Sequence, residues 1–168
     1  MVIMLVSFIL PSTIKAANID YLIVLPENLS ESVVNEFVSF KEQQGFEIQI
    51  TPVNEITKST TGTDDAEKIR NYFKNMQSRQ GLQYVLLIGN PYDENKQDEK
   101  TTGGKIPMRY VFPLKDSHDY TNTISEDIYR IPTDLYYADL SGNWDSDGDG
   151  FFGEFGQDKA NLVPEIYV

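Results

Sequence analysis

The 168-residue sequence contains no cysteine and one histidine, His118. The missing cysteine excludes a disulfide framework, a thiolate zinc site and a thiol nucleophile within these residues. A lone histidine excludes most imidazole-based metal sites and leaves general-base chemistry resting on one residue. Positive charge is scarce as well: 14 Lys and Arg face 26 Asp and Glu, a net charge of −12. Without a basic stripe to neutralise phosphates, nucleic acid is not an expected partner. Nor is there an apolar run of the roughly 20 residues that a membrane-spanning helix needs. What is present is an ordinary globular composition, 40% hydrophobic and 12% aromatic, on a chain long enough for one core. The acidity is uneven, with 10 acids and 2 bases in residues 126–168. A cation site is therefore expected near that end.

The first residues read as an export segment. Val2 to Leu10 is apolar except for Ser7, Pro11 ends the run, and Ala16 and Ala17 follow where a signal peptidase would cut. This matches a secretory h-region with small residues at the cleavage site, although no Lys or Arg precedes it. The reading is a signal peptide over 1–17 and a secreted, extracellular or cell-surface protein. The alternative is a buried N-terminal strand or helix.

From Asp20 the texture alternates between strand and helix. Tyr21-Leu22-Ile23-Val24-Leu25 is a short apolar run of the kind covered on both faces of a sheet. Ser30 can cap a helix to Gln44, with Val33, Phe37 and Phe40 as its apolar positions and Gly45 at its end. Residues 46–53 alternate and read as a second strand nearer the sheet edge. Asp64 and Glu67 form a capping box for a helix whose stripe is Ala66, Ile69, Phe73 and Met76, closed by Gly81. Residues 82–89 supply a third strand. This β-α-β-α-β order predicts a layered α/β/α fold with a mainly parallel sheet. Beyond it, 90–105 reads as a surface loop, 106–113 as an edge piece bracketed by prolines, and 114–131 as polar. Residues 133–140 and 161–168 are further strand candidates, with Tyr136 and Tyr137 as strand packing.

Asp145-Ser146-Asp147-Gly148-Asp149-Gly150 carries the chemistry. Alternate carboxylates in a tight loop can direct several hard oxygens at one calcium ion, which takes 6–8 of them. The carbonyl of Phe151 falls where a calcium loop uses backbone oxygen. The twelfth position is Gly156 instead of the Glu of an EF-hand, so Glu154 is the nearest closing carboxylate, with Asp139 or Asp158 as outside candidates. The predicted metal set is Asp145, Asp147, Asp149, Phe151 and Glu154, holding a structural calcium; the bland reading is a solvated acidic turn. Other candidates are weaker. His118 sits in a polar loop, Gly103-Gly104-Lys105 lacks phosphate-loop spacing, and no G-x-S-x-G elbow occurs. Arg109, between apolar neighbours, reads as a snorkelling surface residue in preference to a buried ion-pair partner.

Several stretches, in order, resemble the first part of a gingipain-type cysteine peptidase domain, a family with a caspase-like fold. They are Asp20 to Val24, Phe37 to Phe46, Ala66 to Tyr72, Tyr84 to Gly89, Ile106 to Tyr110, Pro132 to Asp139, Asn143 to Gly150 with Gly153 and Glu154, and Leu162 to Val168. The resemblance implies that residues 18–168 are the N-terminal part of such a domain, with the catalytic histidine and cysteine following Pro164-Glu165-Ile166-Tyr167-Val168. It gives His118 no catalytic role, and it likens the acidic loop to a calcium-binding segment. The expected partners are then protein or peptide substrates of the complete enzyme and the remaining C-terminal part of the domain. Two functions stand side by side: the scaffold of a secreted calcium-binding cysteine endopeptidase, or a non-catalytic calcium-stabilised module for surface binding or complex assembly.

Overall fold

The computed structural model describes residues 18–92, 104–112 and 131–168. The predicted signal segment 1–17 and His118 lie outside these residues. β1 (Tyr21–Leu25) is the central strand of a parallel sheet ordered β2-β1-β3, with β2 at Ile48–Pro52 and β3 at Tyr84–Leu87. Ile23 is level with Ile50 on one side and Leu86 on the other. Because strand side chains alternate between faces, Leu22 and Val24 join the core with Ile56, Ile69 and Phe73, whereas Ile23 and Leu25 pack with Val34 on the opposite face. Both faces of β1 are covered, as its unbroken apolar composition requires. The result is the predicted α/β/α layering.

One layer is the segment after β1. Ser30 caps it as expected, its hydroxyl accepting from the Ser32 amide, but the first turn is a 3-10 turn, Glu31–Val34, and α1 spans Asn35–Gln43. The shift rotates the apolar face. Val33 and Phe40 are exposed, and Val34, Phe37 and Val38 take the places facing the sheet. The opposite layer holds α2 (Val53–Ser59), an element absent from the sequence reading, and α3 (Asp65–Gln80). Pro52 is still extended, and Ile56, fully buried, anchors the α2 turn to the core. The α3 stripe of Ala66, Ile69, Phe73 and Met76 is buried throughout.

Four further expectations change. The region read as a loop from residue 90 carries β4 (Asn90–Tyr92), which pairs in parallel with β5 (Lys105–Pro107). The edge piece therefore divides into β5 and β6 (Tyr110–Val111), and β6 pairs antiparallel with β7 (Ile131–Pro132). Thr133 to Leu140 is not a strand. It holds the short helix α4 (Leu135–Ala138), whose start is fixed by the Asp134 carbonyl accepting the amides of Tyr137 and Ala138. A single turn buries both neighbouring tyrosines, which an alternating strand at one sheet face does not do. Residues 161–168 are likewise not a regular strand. They touch the sheet at one parallel bridge, Tyr84 to Tyr167, with Val85 N–H donating to the Tyr167 carbonyl and Tyr167 N–H to that of Gln83. The rings of Tyr21, Tyr84 and Tyr167 stack across the three neighbouring segments.

Candidate functional site

The acidic loop hangs between two fixed points. Trp144, the only tryptophan, is buried and donates its indole N–H to Asp139 at 2.8 Å. Gly153 N–H returns to the Trp144 carbonyl at 2.8 Å and closes the neck of the loop. Within it, Asp145 accepts from Gly148 N–H and Asp149 from Phe151 N–H. These short bonds turn the chain so that one oxygen each of Asp145, Asp147 and Asp149 lies within 4.8 Å of the others. In water, two unit charges at 4 Å repel by about 1 kcal/mol, and a divalent ion among them adds attractions that outweigh these repulsions. The donors are all hard oxygens on a loop open to solvent, a set that suits calcium and not a soft metal.

The other carboxylates predicted for this site stand elsewhere. Glu154 is buried outside that three-membered cluster, and its Oε1 accepts from Gln157 Nε2 at 3.0 Å. Asp158 bridges the amides of Ser146 and Glu154 and so holds the base of the loop. Asp139 is fully buried and accepts from the amides of Ser141, Gly142 and Asn161 as well as from Trp144. Its own carbonyl receives the Arg70 guanidinium. Asp139 is a structural knot, not an outside ligand.

Arg109 is not a snorkelling surface residue. It is 4% exposed and makes a two-pronged pair with Asp64, at 2.7 and 2.8 Å. Its guanidinium lies over the ring of Phe152 at 3.7 Å and near that of Tyr136 at 4.7 Å, the two rings being set nearly at right angles. Burial opposes its charge, but Tyr136 and Asp64 outweigh that and raise its pKa further. The Tyr136 phenol is pushed up by burial, with Arg109 acting against the shift. Asp64 has a second duty as the N-cap of α3, accepting the Glu67 amide at 2.7 Å. Sequence reading found the cap but not the partner 45 positions away. The only signal was a charged residue set among apolar ones.

Two concave regions flank this network. A groove of about 390 Å³ opens past the C-terminal end of β3, lined in part by Leu87, Gly89, Ile106, Met108, Asp134 and Val168. Among the described residues that line it, Asp134 is the only charged side chain. Ligands of open α/β sheets sit beyond the carboxyl ends of strands, which is where this groove lies. The second, about 350 Å³, lies beside the acidic loop and is lined by Trp144, Glu154, Phe155 and Leu162 among others.

The family model of peptidase family C25 matches residues 14–168. The chain belongs to that family. These are the gingipain-type cysteine peptidases, in agreement with the resemblance seen in the sequence, and the parallel β2-β1-β3 sheet is consistent with their caspase-like fold. No curated protein and no solved structure matches the chain. Membership makes it a cysteine-peptidase-related chain, yet its 168 residues include no cysteine. A thiolate attacking a carbonyl therefore has no source among them. Among the described residues, no helix is long and apolar enough to cross a membrane.

Proposed function

We propose that these residues form the leading, scaffold-forming part of a secreted, calcium-binding cysteine endopeptidase of gingipain type. The family match over residues 14–168 carries this reading. In it, the sheet and its helices present a rim at the carboxyl ends of β1, β2 and β3, and the thiolate and its histidine base are mounted there by polypeptide other than these residues. The groove past β3 at Gly89 and Asp134 is the concave feature on that rim where an extended substrate would be received. Asp145, Asp147 and Asp149 would hold the calcium, with the Phe151 carbonyl as a closing ligand and Glu154 held apart from it by Gln157. The ion's contribution would be structural, neutralising three crowded carboxylates and fixing the loop.

A non-catalytic, calcium-stabilised module for surface binding or assembly is the second reading. The absence of cysteine favours it. The two separate in one experiment. Antibody against residues 18–92 recovers the native protein from culture medium, which is then tested for fluorogenic peptide hydrolysis and for labelling by a thiol-directed inhibitor. The peptidase reading expects both, with the isolated 168-residue chain giving neither. Native protein that is secreted, folded and unlabelled overturns it in favour of the module.

A further inference from the structure

Arg109 joins the acidic loop to the N-terminus of α3, and the join runs through one ring. Phe152 is two residues past the acidic hexad. Its carbonyl accepts the Phe112 amide at 2.8 Å, and the ring of Phe151 meets that of Phe112 at 4.9 Å. The next residue, Gly153, closes the loop neck on Trp144. The position of the Phe152 ring is thus set by the same short segment that orders the three carboxylates. That ring lies over the Arg109 guanidinium at 3.7 Å, while the Tyr136 ring, set nearly perpendicular to it, lies 4.7 Å away and its hydroxyl accepts from Arg109 Nη2 at 3.2 Å. Held against Phe152, Arg109 points both its terminal nitrogens at Asp64, which in turn caps α3 through the Glu67 amide.

We infer that calcium in the acidic loop is read out at the first turn of α3 through Phe152, Arg109 and Asp64. This rests on the calcium reading above and extends it to regulation of the same site. Without the ion, repulsion among Asp145, Asp147 and Asp149 loosens the loop. Phe152 then loses its fixed place against Arg109, and the guanidinium loses its nearest ring contact. The Asp64 carboxylate is left with a less constrained partner, and the α3 cap weakens. With the ion bound, each of these contacts tightens in turn. The stack is worth more here than at a surface because the guanidinium is buried, and a buried charge whose partner loosens is costly. Calcium would in this way set the rigidity of a helix packed directly under the central sheet.

Amide hydrogen exchange of the full chain tests this, with calcium and with chelator, alongside calorimetric titration of calcium. The parent should show slower exchange both in residues 144–153 and at the α3 first turn, by about tenfold, the scale on which local openings differ. Phe152→Leu keeps apolar volume but removes the ring face, and Phe152→Ala removes both. Each should still bind calcium and protect the loop, while protection at the α3 turn falls away. Should either variant fail to fold, Arg109→Lys gives the same reading, since a compact ammonium neither stacks nor pairs two-pronged. Calcium binding in the parent with no change at α3 overturns the coupling alone, as does α3 protection that survives in all variants. A flat titration removes the calcium reading and the coupling with it.

Discussion

Asp139 and Trp144 meet at 2.8 Å, carboxylate to indole N–H, with both side chains buried. This bond ties the end of α4 to the start of the acidic loop. It also places the only tryptophan of the chain next to the residues of greatest chemical interest.

Asp139→Ala should be among the most destabilising changes in the chain. It leaves four donors without their acceptor and removes the carboxylate 3.6 Å from the Arg70 guanidinium. Breaking a buried ionic group of this kind costs about 3–5 kcal/mol. Urea unfolding should show the midpoint falling by that free energy divided by an unchanged slope, with Trp144 emission shifted red in the native baseline.

Gly142→Ala and Gly148→Ala should separate steric from conformational cost. A Cβ at Gly142 would lie 2.2 Å from Asp139 Oδ2 and 2.3 Å from the Asn161 amide, so the knot must open. Gly148 has φ +78° but open space around it, and a side chain there costs only the left-handed strain of about 1–2 kcal/mol. The first variant should perturb Trp144 fluorescence and the second leave it unchanged. Equal spectra for both would contradict this placement of Asp139.

Acid should weaken the entry to α3 through Glu67. Its pKa is lowered, first by the Thr63 hydroxyl and then by the Thr63 amide, both donating to its carboxylate. A carboxyl with a depressed folded pKa contributes stability above its unfolded pKa, about 4.3, and loses it as pH falls through the folded value. Glu67→Gln should therefore flatten the part of the stability profile below about pH 4.3 and change little at neutral pH beyond an offset. A parallel acid limb in parent and variant would rule this out.

Calcium should raise the thermal midpoint of the parent chain and leave Asp147→Ala unmoved. Binding to the folded form alone stabilises by about 2.7 kcal/mol when free calcium exceeds Kd a hundredfold. Extracellular sites of millimolar affinity can still be filled under those conditions. Trp144 fluorescence gives a second readout on the same samples. If the midpoint of the parent ignores calcium and chelator alike, the loop is a solvated acidic turn.

The α/β layering was legible in the sequence because its determinants are local. Tyr21 to Leu25 has the composition of a strand buried on both faces, Ala66 to Met76 repeats at helical spacing, and Asp64 with Glu67 marks a helix start. The acidic hexad could be read as a cation loop because alternate Asp residues and glycines act over a few positions. What only the tertiary structure decided involves partners distant in sequence. Asp139 has the same ionisable group as Asp147, yet it is fully buried because Asn161, 22 positions on, joins Ser141, Gly142 and Trp144 in donating to it. Val33 and Phe40 looked like core positions until a 3-10 turn rotated the helix face. Tyr136 and Tyr137 suit a strand by propensity, but burying both beside Phe73, Trp144 and Arg109 required a single helical turn. Arg109 was ambiguous for the same reason: a charge among apolar neighbours is stable at the surface or in the interior, and only the arrival of Asp64 and Phe152 from remote segments settles which.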